Sequence, residues 1–198
     1  SNGNTTTSYL AQYRSYPASL GFKSGKWYWE VKRKSTSNDF HCGICSEKLT
    51  PSNQATWVGN TANGWIYAGD GGDIYNNGNN PGSSGYATLA VDDIVGVAYD
   101  ADNGKLYFSK NGTFQNSSNP VNGTNPAFSG LNTSLFYFPV ITAGANSETN
   151  FGNGFFGTTA VTSNSGAGEQ DDAGEGKFQY DVPAGYYAVN TKNINTYG

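Results

Sequence analysis

Methionine is absent from this chain, histidine occurs once, cysteine twice, and charged residues make up only 13% of it. Each scarcity excludes something. Without methionine the 198 residues contain no initiator, so a trimmed start or a segment of a longer polypeptide is expected. The balance of 11 Lys and Arg against 15 Asp and Glu leaves a net charge of −4 and a pI near 4.8. That is the wrong sign for gripping a nucleic-acid backbone, which takes clustered cations. The one basic cluster, Lys32-Arg33-Lys34, closes a predicted strand and reads as a solvated edge. No apolar run approaches the ~18 residues of a membrane span, and no signal peptide is visible. Neither nucleic acid nor membrane insertion is therefore expected of it.

Glycine and aromatics are abundant: 27 Gly, 14 Tyr, 11 Phe and 4 Trp. Short hydrophobic runs alternate with period two and end at Gly, Asn or Pro, the signature of strands and tight turns. In Trp27-Tyr28-Trp29-Glu30-Val31 the residues Trp27, Trp29 and Val31 share one face, Tyr28 and Glu30 the other. Phe40 to Cys45 reads as a short strand in which Gly43 admits another backbone closely. Gly64–Ala68 and Asp73–Tyr75 bracket a Gly-Asp-Gly-Gly turn and read as a hairpin. Ile94–Tyr99 and Lys105–Ser109 flank Asp102-Asn103-Gly104, where Asn-Gly predicts a type I′ turn. Asn111-Gly112 turns the chain again. Leu135–Thr142 is a near-continuous apolar run, and Tyr186–Val189 closes the pattern. No amphipathic stretch is long enough to predict a helix. The length fits a single all-β sandwich domain over 1–198, with a polar, mobile loop insertion at about 157–177 carrying Glu169, Asp171, Asp172 and Glu175.

Several of these segments carry a family likeness. Ser24–Val31, Asp92–Asp100 and Gly104–Gly112 resemble successive signature segments of the SPRY domain family, and Phe138–Thr142 with Asn150-Phe151-Gly152 resembles the next. Phe178-Gln179-Tyr180-Asp181-Val182-Pro183-Ala184-Gly185-Tyr186 is similar to the closing segment of bacteriophage-encoded versions, and Ser1–Asn4 to the end of their first strand region. The resemblance implies a concanavalin-like sandwich of two curved antiparallel sheets. It also implies a non-enzymatic recognition module with its ligand surface on loops at one end. The 157–177 insertion departs from the phage pattern.

Enzyme chemistry finds few residues. His41-Cys42-Gly43-Ile44-Cys45 offers three candidate metal ligands where zinc takes about four. On a strand Cys42 and Cys45 point to opposite faces with Cα atoms about 10 Å apart, beyond the ~7 Å reach of a disulfide. Buried thiols are expected, and the lone histidine leaves no nucleophile–base pair. Glycoside hydrolysis needs two facing carboxylates. Glu30 has Tyr28 and Lys32 two positions away, Glu47 has Cys45 and Leu49, and Asp100 with Asp102 enter a turn that they are expected to cap. Asp100–Gly104 echoes the start of a calcium loop, but Asn111 stands where the bidentate Glu belongs. No catalytic residue, metal or cofactor is expected.

Binding by loop aromatics remains. Trp57, Trp65, Tyr67 and Tyr75 lie near Gly- and Asn-rich turns, where large rings with few rotors make contact area. The competing reading is that each packs in the core. The expected partners are protein subunits of a larger assembly or a surface glycan. The expected role is a phage virion component (fibre, spike or capsid decoration), and hence a virion or extracellular location. The alternative is an extracellular microbial filament subunit or glycan-binding adhesin. Asn2–Ser8 is a candidate for strand exchange between subunits.

Overall fold

A computed structural model of the chain describes residues 6–8, 14–36, 39–50, 56–81, 85–162 and 169–198. In chain order the strands are β1 (Thr6–Thr7), β2 (Ser15–Pro17), β3 (Lys26–Arg33), β4 (Asp39–Ser46), β5 (Gly64–Ala68), β6 (Asp73–Tyr75) and β7 (Ile94–Asp100). They continue with β8 (Lys105–Lys110), β9 (Thr113–Phe114), β10 (Tyr137–Gly144), β11 (Ser147–Asn150), β12 (Phe155–Phe156), β13 (Thr159–Ala160) and β14 (Tyr187–Ala188), followed by helix α1 (Thr191–Tyr197).

Two sheets result. One orders its strands β1-β11-β3-β7-β8-β9, with β14 added beside β3; the other runs β2-β10-β4-β5-β6. Pairing within them is antiparallel except for β14, which lies parallel to β3. The period-two reading of β3 holds. Trp27, Trp29 and Val31 enter the layer between the sheets, where they meet Phe40, Cys42 and Ile44 of β4. Phe22 stacks on Trp27 at 5.0 Å between centroids, the kind of aromatic pair that adds about 1 kcal/mol beyond area burial.

The Asn-Gly turns on either side of β8 differ. At Asn111-Gly112 both residues take positive φ, 48° and 82°, as a type I′ turn between β8 and β9 requires. Between β7 and β8 only Gly104 does, at 59°, so the type I′ expectation at Asn103 fails. The cause is Asp100, whose carboxylate accepts from the Asn103 backbone N–H at 3.0 Å and its side-chain amide at 2.9 Å. That grip folds Ala101–Gly104 into a wider, four-residue connection.

Neither sheet leaves its outer face bare. Tyr28, Ala98 and Tyr107, on the outside of the larger sheet, pack against Phe178, Tyr186 and Ala188 from the C-terminal segment. Cys45, Ile66 and Val140, outside the smaller sheet, pack with Val58 and Trp57 from the β4–β5 connection. Helix α1 was not foreseen, because seven residues are too few to show an amphipathic period. Its start is fixed by Asn190, whose side chain accepts from Asn193 N–H at 2.8 Å.

The stretch expected as a loop insertion contains β13 and, beyond residues 163–168, which lie outside the described ones, a buried acceptor. Asp171 accepts from the N–H groups of Ala173, Glu175 and Ala188 and from the Asn193 amide, at 2.7–3.0 Å. It thereby ties this stretch to β14 and α1. Of the segment considered for subunit exchange, Thr6 and Thr7 pair with Glu148 and Ser147 of the same chain. Asn2 to Thr5 lie outside the described residues.

Candidate functional site

The four loop aromatics divide between two layers. Tyr67 points between the sheets, fully buried, with its ring 5.5 Å from Tyr86 and its hydroxyl donating to the Ala87 carbonyl. It is a core residue and presents nothing to a partner. Trp65, two positions earlier on β5 and therefore on the same inner face, is half-buried against Tyr137 at 5.6 Å. Trp57 and Tyr75 alone come together on the outside, edge to face at 4.9 Å and both partly exposed. Beside them the Tyr75 hydroxyl donates to Asp73 at 3.5 Å, and the exposed Asn80 amide donates to the same carboxylate at 2.9 Å. An aromatic pair with a hydrogen-bonding rim results.

A residue that sequence reasoning missed lies at the start of β10. Phe136, read as part of an apolar strand, precedes that strand and is 41% exposed, with the Lys23 ammonium 5.4 Å from its ring centre. Nothing in the near-continuous apolar run Leu135–Thr142 marks its second residue as outside the sheet.

Reactive groups are muted by burial. Cys42 sits in the inner layer and Cys45 in the outer cluster, on opposite faces of β4, and neither forms a disulfide. Burial pushes the Cys45 thiol up to about 12 and that of Cys42 higher still, so both stay protonated and unreactive. His41 lies 5.3 Å from Trp57, ring to ring, and no hydrogen bond from the described residues reaches its Nδ1. Burial, only partly offset by Asp39, lowers its pKa to about 4. Among the described residues no group of three or more His, Cys, Asp or Glu side chains is placed to hold a metal ion.

Glu30 is a buried group shifted the opposite way to His41. Burial pushes it up to about 7, against the pull of the Gln179 and Tyr180 backbone N–H groups, the Asn150 amide and the Tyr28 hydroxyl. The folded protein therefore holds Glu30's proton more tightly than the unfolded chain does, where the group titrates near 4.5. Its contribution to stability is full below 4.5 and is lost as pH rises through 7. His41 runs the other way: its contribution is full above 6.5 and is lost as pH falls through 4. Between 4.5 and 6.5 the two slopes oppose each other. Urea denaturation of the wild type should therefore change little with pH across that window. With His41→Phe, stability should rise on acidification by up to about 1.4 kcal/mol per pH unit. With Glu30→Gln it should fall on acidification at a comparable rate.

The order of the two sheets, the filled layer between them and the segments closing both outer faces invite comparison with known domains. The family model of the SPRY domain matches residues 26–154. The chain belongs to the SPRY domain family. The crystal structure of the SPRY domain of human HERC1 shares this fold, with a TM-score of 0.56 and 17% identity over 70% of this chain and 82% of that one. No curated protein matches this chain. SPRY domains are in general protein-interaction modules, and this chain has their β-sandwich fold. The matched span ends before residues 169–198, so the C-terminal cover of the larger sheet lies outside it.

Proposed function

We propose that this SPRY domain is a structural binding component of a phage virion, seated in a fibre, spike or capsid decoration, and that it contacts neighbouring protein subunits through the Trp57–Tyr75 face. The observation that carries the reading is that this aromatic pair is partly open and flanked by Asp73 and Asn80. Rigid rings with a satisfied polar rim make a contact surface of the kind that anchors protein interfaces. The low charge and the Asn- and Gly-rich composition, together with the phage-like closing segment Phe178–Tyr186, favour a virion over a cytoplasmic partner. A surface glycan, as an adhesin would bind, stacks on the same rings, so the test must separate the two.

Tyr75→Ala, at the centre of the face, and Asn80→Arg, which sets an unpaired charge and a bulky side chain at its rim, should each lower incorporation into native particles by about tenfold. Their thermal midpoints should stay close to that of the wild type. Wild-type protein absent from purified particles, or variants incorporated as well as wild type, overturns the reading. Normal incorporation with lost adsorption to host envelopes moves the ligand from subunit to glycan.

A further inference from the structure

The two sheets part along one margin, where β1 and β11 of one face β2 and β10 of the other. Between them lies a cavity of about 510 Å³. Its floor is apolar and buried, made by Trp29, Pro139, Ile141 and Val189. Its mouth is marked by Thr6, Ser8 and Tyr16, which are exposed. We propose that this cavity binds a small, uncharged, mainly apolar molecule that carries one hydrogen-bonding group, such as an alcohol, and that Thr149 reads that group.

Strand β11 supplies the argument. Its alternation sends Asn150 outward, to the Lys177 carbonyl at 2.9 Å, and turns Ser147 and Thr149 inward. The Ser147 hydroxyl meets that of Thr7 at 2.5 Å. Thr149 is 2% exposed, lines the cavity, and its hydroxyl has no hydrogen-bond partner among the described residues. A buried hydroxyl without a partner is unfavourable, and a ligand that supplies one recovers the loss on binding. The volume lies within the roughly 300–1,000 Å³ of small-molecule sites, which combine apolar walls with few polar groups. No Asp, Glu, Lys or Arg stands among the described residues of the wall, so a carboxylate or ammonium would enter without a counter-charge. The Trp57–Tyr75 face lies outside the other sheet layer, so this site is separate from the proposed subunit contact.

Three probes of one shape test the idea: 2-naphthalenemethanol, 2-methylnaphthalene and 2-naphthoate, each titrated into the full chain and followed by fluorescence and by NMR of side-chain methyl groups. The alcohol should bind saturably at one site, with shifts at Ile141 and Val189. It should bind about fivefold more tightly than the methyl compound, the gain of one hydrogen bond. Naphthoate should bind at least about tenfold more weakly than the alcohol. Thr149→Val keeps shape and volume, so it should erase the alcohol's advantage and leave 2-methylnaphthalene unchanged. Unsaturable binding, shifts confined to residues around Trp57, or an alcohol preference that survives Thr149→Val overturns the proposal.

Discussion

Replacing Glu30 by alanine is expected to cost about 4 kcal/mol and to release the C-terminal cover of the larger sheet. The carboxylate is fully buried on the outer face of β3. It accepts from Gln179 N–H and Tyr180 N–H, each at 2.9 Å, from the Asn150 amide at 3.3 Å and from the Tyr28 hydroxyl at 3.4 Å. Alanine leaves three N–H donors under apolar cover with nothing to replace the oxygens, and each orphan costs about 1–3 kcal/mol. Equilibrium denaturation gives the loss, and hydrogen exchange at Gln179 and Tyr180 gives its location, since these two amides should lose protection first. Glu30→Gln keeps one acceptor and turns its NH₂ towards a donor, so it should cost about half as much. If Glu30→Ala unfolds no more easily than wild type, the carboxylate is not what holds the segment down.

Gly43→Val is expected to cost about 3 kcal/mol, at the upper end of overpacking effects. A side chain there would begin 2.1 Å from the Trp65 carbonyl oxygen and 2.9 Å from the Ile66 Cα. Both are backbone atoms of β5, held in register with β4, so no rotamer relieves the contact. Separation of β4 from β5 should follow, seen as faster amide exchange across β5 and a lower thermal midpoint. Gly71→Ala provides the contrast. Its new methyl would meet only the tip of the Asp73 side chain, which can turn aside at the cost of its long bond from Tyr75, so the loss should stay below about 1 kcal/mol. Equal losses at both positions would mean that close approach at Gly43 is not the cause.

Much of this architecture was legible because its information is local. The alternation in β3, the hairpins flanking Asp70 and Asn111, and the need for a glycine at position 43 all lie within a few residues of one another. The opposite facing of Cys42 and Cys45 follows from the same period of two. What stayed hidden depends on distant chain. The alternation places Glu30 on the face away from Trp27, Trp29 and Val31 but not under cover, because its donors arrive 149 and 150 residues later. Of the aromatics singled out for binding, Tyr67 could be told from Trp57 only by knowing which sheet face lies inward. Asn103-Gly104 and Asn111-Gly112 read identically, yet the Asp100 carboxylate redirects the first. Thr149 carries no signal at all, for one threonine in a Thr-rich chain has no partner or pocket until the sheets close.

The covering of β3 from the far end of the chain also fixes an order of events during synthesis. Strands β3, β7 and β8 can pair once residue 110 has left the ribosome, but Tyr28, Ala98 and Tyr107 keep a greasy back until residues 178–188 arrive to lie across it. A nascent chain therefore carries an unfinished, sticky wall while residues 111–177 are made, and what delays its closing is topology rather than slow chemistry.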